Sequence, residues 1–384
     1  MLKDSFNKSY MFNTPILVII AVLTAVSYLG GLTGIQTVIS FSFAISIVLV
    51  IGLSVLDICI RKRVDPLLLI IVAAMVLPVV SGGLKDNFDY YKSFLITLCT
   101  FISISYAPKI RMEKWGRMII SCMFFIMAVI TLVMFYFMGY DKVYFGTTQS
   151  IAFYFGNPNA AGLWILGIYI INGCFLFKQK WWMKIVYILI LAGLLHIIFR
   201  TESRNSLISA IVFLGALVLY QFIKNRKMPK WLLFVAVVAP IIAFVVYMYV
   251  ILPIADNIIG LFGMDKGINT RERIWSSVIN EVKEHLLFGR YDLYHGGNLH
   301  NSFLTLLGMY GLPLVVSSCW LMYRSAVMQQ EYISPLAAMT FCSLMISGCF
   351  EASVFVGIGG FYLAILVMPA CFSTDDTKPA EKGI

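Results

Sequence analysis

Charge is what this chain has least of. Only 12% of its 384 residues are Asp, Glu, Lys or Arg, and histidine occurs four times. A soluble globular domain carries about 25% charged residues, so an ordinary cytosolic fold is excluded. No H-x-x-H or H-x-x-x-H pair occurs, which leaves a histidine-based zinc site without its usual spacing. The eight cysteines (Cys59, Cys99, Cys122, Cys174, Cys319, Cys342, Cys349 and Cys371) fall in or beside apolar runs, which excludes a disulfide-stapled ectodomain and a Cys-based zinc site. They read as small buried apolar residues. Internal repeats and low-complexity tracts are missing too.

What fills the sequence is apolar: 60% of residues, with a mean hydropathy of +0.88. Runs near the ~20 residues that cross a bilayer as a helix recur along it. Twelve are read, at 14–30, 35–59, 66–83, 91–107, 117–139, 158–177, 182–199, 205–223, 231–253, 301–323, 333–350 and 352–372. Helices are expected because each satisfies its own backbone polar groups in lipid. The runs do not alternate as the strands of a β-barrel would. The expected fold is therefore an all-α integral membrane protein of about twelve transmembrane helices over 1–372, with a disordered tail at 373–384.

The net charge of +10 reports topology. With the N-terminus in the cytoplasm, the inner segments hold 19 of the 29 basic residues and 8 of the 19 acidic ones. That bias follows the positive-inside rule and implies contact with membrane lipids, not nucleic acid. Lys3 and Lys8 before the apolar run from Pro15 resemble a signal peptide, but no clean small-x-small cleavage site follows. An uncleaved first helix is the reading preferred. Both termini are expected to be cytoplasmic.

On this topology the long polar interval 254–300 lies outside. It holds His285, His295, His300, Arg271, Arg273 and Arg290. Asn269 followed by Glu272 makes a capping-box pattern. Ile274, Trp275, Val278, Ile279, Val282 and Leu286 then recur at helical spacing. At 100° per residue Arg271 falls amid that apolar face and Arg273 points away. An inward arginine in a helix's first turn is costly unless an anion relieves it. Arg271 reads either as a phosphate ligand or as a snorkelling residue paired with Glu202 or Asp292.

Other candidates line the same outer side. Arg200 and Arg204 share the turn FRTESRNS; Arg200 reads as an interface anchor and Arg204 as a cation at a helix start. His300 follows Gly296 and Gly297 and precedes an apolar helix for which Asn301 or Ser302 is the natural cap. It is either a general base or a capping residue. His285 and His295 read as solvated. Asn157 and Asn159 (FGNPNAAG) shape a pocket or cap a helix, and Glu351 is either paired to a basic group or a site carboxylate. Asp57 is read as pairing with Arg61 one turn on. Trp181 and Trp182 fit an interfacial aromatic belt.

Four ordered motifs carry a resemblance to the bacterial O-antigen ligase and polysaccharide polymerase superfamily. They are N-P-N at Asn157–Asn159, S-R at Ser203–Arg204, R-x-x-I-W at Arg271–Trp275 followed by Gly289, and H-N-x-x-L at His300–Leu304 followed by G-x-x-G-L-P-L around Gly308–Leu314. The chain departs from the pattern in having Thr270 before the loop arginine and an extra arginine at Arg273. The resemblance implies a glycosyltransferase that moves glycan from an undecaprenyl diphosphate carrier to an acceptor glycan at the outer face of the cytoplasmic membrane. It implies catalytic Arg204, Arg271 and His300, with no cofactor and no metal. Arg200, Arg273, Asn157, Asn159, Trp275 and Asn301 are expected to flank the substrates, and export or chain-length proteins are possible partners. Polymerase and ligase are both compatible with these motifs, polymerase being favoured. A flippase or transporter is the rival class; it should show repeat symmetry and mid-membrane charges, whereas the charges here sit at the rim.

Overall fold

The fold is described from a computed structural model that covers residues 2–61, 64–81, 88–106, 113–139, 150–177, 179–223, 229, 231–251, 268–290, 299–327 and 335–351. Every regular element among these residues is helical: α1 Leu2–Thr33, α2 Gln36–Arg61, α3 Pro66–Ser81, α4 Phe88–Tyr106, α5 Lys114–Tyr136, α6 Pro158–Leu176 and α7 Trp181–Arg200. There follow α8 Arg204–Ile223, α9 Trp231–Val246 with a π-turn at Tyr247–Ile251, α10 Ile268–Val282, α11 Ser302–Tyr310, α12 Leu312–Val327 and α13 Pro335–Phe350. Among the described residues, six helices, those spanning Thr14–Thr33, Gln36–Cys59, Lys114–Tyr136, Pro158–Leu176, Trp181–Arg200 and Arg204–Phe222, are long and apolar enough to cross a membrane. This is the make-up of a multi-pass membrane protein. The run 352–372 and the tail 373–384 lie outside the described residues.

α6 is the hub. It packs against α5, α7 and α8, and most of its surface is covered by them. α1 lies on α2 and α5, where the Tyr28 hydroxyl and Thr131 Oγ1 share a hydrogen bond of 2.7 Å. A second group forms where α13 packs between α8 and α9 and where α12 lies on α3, α4 and α9. Large side chains such as Phe222 (78% exposed), Phe41 (71%) and Leu189 (67%) cover the outside. In water such a surface would drive association; facing lipid tails it costs nothing.

The expected single span 301–323 is broken. α11 has nine residues and stops at Gly311, where the backbone takes φ 84°, and α12 restarts at Leu312. A break inside an apolar run frees backbone groups, each costing several kcal/mol in lipid if unpaired. The segment after α10 supplies the partners: Leu312 N donates to Leu286 O (2.8 Å) and Arg290 N donates to Gly308 O (2.6 Å). α10 also ends at Val282, so Leu286 is not on its apolar face but 44% exposed in these turns. The helix begins at Ile268, which puts Asn269 inside its first turn instead of at the cap. Cys59 and Cys122 are exposed, contrary to the expectation of buried cysteines. Cys371 and the Arg61 side chain lie outside the described residues.

At the end of the bundle away from His300, Asp65 ties three helices together. It caps α3 by accepting from Leu67 N (3.0 Å), takes the Ser105 hydroxyl of α4 (3.1 Å), and holds the Arg324 guanidinium of α12 through both oxygens. Burial raises its pKa, but the Arg324 hydrogen bonds and charge, the Leu67 amide and the Ser105 hydroxyl outweigh this and hold it below the usual carboxylate value. A depressed carboxylate contributes stability above its unfolded pKa and loses it as pH falls through the folded one. Asp65→Asn is therefore expected to melt below the wild type at pH 7, and the gap should close on acidification below about pH 4. Melting curves of the purified pair at both pH values check this; a gap unchanged by acid would refute it.

Candidate functional site

Three residues, His300 to Ser302, are stitched to the end of α13. Asn301 is the N-cap of α11: its Oδ1 accepts from Leu304 N (2.8 Å) while its Nδ2 donates to Cys349 O (2.6 Å). Ser302 Oγ donates to Glu351 O (2.9 Å). Held between these anchors, His300 takes φ 48°, a left-handed conformation that histidine adopts more readily than most residues but still at a cost. The strain is retained because both neighbours are fixed. The result aims the imidazole at α13, where Nδ1 lies 3.0 Å from Glu351 Oε1. Glu351 is 7% exposed and the His300 side chain 29%, so the pair sits with its carboxylate inside and its ring towards the rim.

This arrangement has a chemical consequence. When Nδ1 donates to a carboxylate, the neutral ring keeps its lone pair on Nε2, and the carboxylate stabilises the imidazolium formed when Nε2 takes a proton. Glu351 is paired, and its partner is His300, itself a candidate site residue, so the two readings of Glu351 coincide here.

α8 brings a second group to the same turn of α13. Thr201 and Ser203, both buried, close the turn between α7 and α8: Thr201 Oγ1 donates to Ile198 O (2.7 Å) and accepts from Ser203 N (3.3 Å). Glu202 takes φ 54° at its tip. Arg204, the first residue of α8, is exposed and makes no ion pair among the described residues. Its neighbour Asn205 turns inward, 6% exposed, and donates from Nδ2 to Ser347 O and Ser347 Oγ, each at 3.1 Å. Ser347 lies one turn before Glu351, whose N–H it accepts (3.0 Å). Arg204 and His300 are thus referenced to one helical turn. Arg200, at the end of α7, is half-buried near Tyr136, whose hydroxyl bonds His196 Nδ1.

The start of α6 borders α8 at this rim, because a Cβ on Gly162 would lie 2.7 Å from Ser203 Cβ. Asn157 caps α6 by accepting from Ala160 N (2.8 Å), and Asn159 lies in the first turn after Pro158. α10 closes the arrangement from the loop side. Trp275, 3% exposed, donates from Nε1 to Leu299 O (2.8 Å), and its ring meets Phe244 edge-on at 5.1 Å and Phe350 at 6.4 Å. Val278 and Val282 are buried against Leu299. Trp275 therefore positions the residue before His300 and is largely shut off from any ligand. Arg271 lies one turn before it in α10; the side chains of Arg271 and Arg273 lie outside the described residues, as does His295. His285 is exposed.

Asn205 and the Trp275–Leu299 bond were not read from the sequence. Asn205 stands in a polar stretch (SRNS) where nothing distinguishes the inward residue from the outward one. Among the described residues, no three His, Cys, Asp or Glu side chains converge as a metal site. Comparison with models of known protein families gives no match, and comparison with characterised proteins gives none either.

Proposed function

We propose that this chain is a multi-pass glycosyltransferase of the bacterial cytoplasmic membrane that polymerises a surface polysaccharide of O-antigen or capsule type. The observation that carries the reading is the His300–Glu351 pair, set at the rim on the helical turn that also anchors the start of α8. In this proposal twelve helices cross the membrane with both termini in the cytoplasm, and 254–300 is the large outer loop. Arg204 and Arg271 bind the diphosphate of an undecaprenyl-linked donor, guanidinium forks suiting phosphate oxygens, and their charge stabilises the departing diphosphate. His300, oriented by Glu351, takes the proton of an acceptor sugar hydroxyl as that oxygen attacks the anomeric carbon in line. The C–O bond to the carrier breaks, the diphosphate leaves, and configuration inverts. Arg200, Arg273, Asn157 and Asn159 border the substrates, and buried Asn301 holds His300 in place.

Two measurements test this. Deleting the gene should leave single repeats where long chains were; full-length chains held on the carrier would instead mean ligase-type transfer to a lipid, protein or wall acceptor. In donor-binding assays on the purified protein, Arg271→Ala should weaken lipid-diphosphate binding by about tenfold or more, the scale of a lost charge-assisted contact, and Arg273→Ala should be mild. Equal binding by both would remove the anion-site assignment.

A further inference from the structure

Two asparagines follow residues that the proposed reaction uses, Asn205 after Arg204 and Asn301 after His300. Each sends its side-chain amide to a carbonyl in the last turn of α13. Asn205 Nδ2 donates to Ser347 O at 3.1 Å, and Asn301 Nδ2 to Cys349 O at 2.6 Å. The acceptors lie two residues apart, in the turn where the helix's own ladder runs out. Asn301 also caps α11, so a local role accounts for it. Asn205 has no such role: it lies inside the first turn of α8, and the turn before it is closed by Thr201 and Ser203.

Stability alone does not explain Asn205. The residue is 6% exposed, and among the described residues its Oδ1 is buried without a hydrogen-bond partner. A buried amide oxygen left unpaired is destabilising, and leucine would fill nearly the same volume without that penalty. The α8–α13 seam is also bonded without it, since one turn deeper Ser343 Oγ donates to Ser209 O at 2.6 Å. What Asn205 adds is a tie at the Glu351 end. Its Nδ2 reaches both Ser347 O and Ser347 Oγ, and the same carbonyl accepts Glu351 N at 3.0 Å. From the other side α6 presses on the same turn of α8, where a Cβ on Gly162 would meet Ser203 Cβ at 2.7 Å and Ser206 Oγ at 2.9 Å. The start of α8 is thereby fixed in rotation between α6 and α13, and Arg204 keeps one place relative to Glu351.

We infer that Asn205 is a positioning residue for the transfer proposed above: it holds Arg204, the cation of the departing diphosphate, at a fixed offset from the His300–Glu351 pair that activates the incoming hydroxyl. The inference rests on that reading of the site and gives Asn205 no contact with substrate. In-line attack needs the base and the leaving-group cation on opposite sides of one anomeric carbon, and a misplacement of about 1 Å is enough to lower a rate by roughly 10²-fold. A long guanidinium side chain can follow the diphosphate through such a shift, so donor binding survives it. The loss therefore falls on kcat and not on the donor KM.

Steady-state transfer by the purified protein tests this, with lipid-linked single repeats extracted from the gene-deletion strain as donor. Asn205→Ala and Asn205→Leu should each lower kcat by roughly ten- to a hundredfold at nearly constant KM, with melting temperatures close to the wild type. Only the alanine variant leaves a cavity, so equal losses assign the effect to the missing amide. If the alanine variant does not fold, the near-isosteric leucine variant carries the test alone. Asn205→Gln, which keeps the donor on a longer arm, should recover part of the rate. Ser343→Ala, which removes a bond between the same two helices one turn farther from the rim, should keep its kcat. Wild-type kcat in Asn205→Leu, an equal loss in Ser343→Ala, or a loss in Asn205→Leu that only tracks the unfolded fraction would each overturn the positioning role. His300→Ala in the same assay separates the two failures. An inactive His300→Ala beside a normal Asn205→Leu removes the role of Asn205 alone, whereas a fully active His300→Ala removes the transfer reading and the positioning role with it.

Discussion

Replacing His300 with alanine is expected to lower glycan transfer by roughly 10²- to 10⁴-fold, the usual contribution of a positioned general base, with donor binding unchanged. The geometry behind this is the 3.0 Å contact between Nδ1 and the buried Glu351 carboxyl group; when Nδ1 donates to it, Nε2 is left to accept the proton. Glu351→Gln should be damaging although the side chain is nearly isosteric. An amide can present its NH₂ to Nδ1, stabilise the other tautomer and leave no anion beside the imidazolium. Glu351→Asp, which keeps the charge, should recover part of the rate. The readout that separates catalysis from folding is the split between kcat and KM for the lipid donor: both His300→Ala and Glu351→Gln should lose kcat at nearly constant KM. A His300→Ala protein that builds long chains at the normal rate would sink the assignment, and an unaffected Glu351→Gln would detach the carboxylate from it.

How far this arrangement was readable in advance depends on the range of each interaction. Caps are local: the sequence offers Asn157 as a cap or a pocket residue and Asn301 or Ser302 as the next cap, and in the structure Asn157 and Asn301 cap their helices. The buried face of α10 at Trp275, Val278 and Val282 is likewise written in a 3.6-residue period. The His300–Glu351 contact joins residues 51 positions apart, and no local pattern encodes it. Exposure of the cysteines failed for a different reason. In lipid an outward position needs no polarity, so Cys59 and Cys122 look the same in the string as buried Cys99 and Cys174. Asp65 carries no local sign of its role, because its arginine partner is 259 residues away and an acid before a proline at a helix start looks like a cap alone.

The break at Gly311 was hidden because an unbroken apolar run was read as one span, and it leads to the strongest structural prediction. A Cβ on Gly311 would lie 2.5 Å from Leu287 O, and one on Gly289 would lie 2.5 Å from Gly311 N and from Tyr310 N. Both glycines have positive φ, 84° and 63°. Two backbones touch here, so no flexible side chain can give way, and alanine adds conformational strain at either site. Gly311→Ala and Gly289→Ala should each destabilise the protein by about 2–4 kcal/mol, as backbone strain and overpacking together would. A lower melting temperature in detergent measures this. Because the two residues meet at one contact, the double variant should lose less than twice a single one. The effect should also reach the rim. α11 is only nine residues long, and Asn301 and Ser302 at its start hold His300 against Glu351. A shift at Gly311 is therefore transmitted through two and a half turns to the dyad, and transfer should fall together with stability in Gly311→Ala. A Gly311→Ala protein with wild-type melting would mean that the close approach of Leu287 is not part of the folded chain.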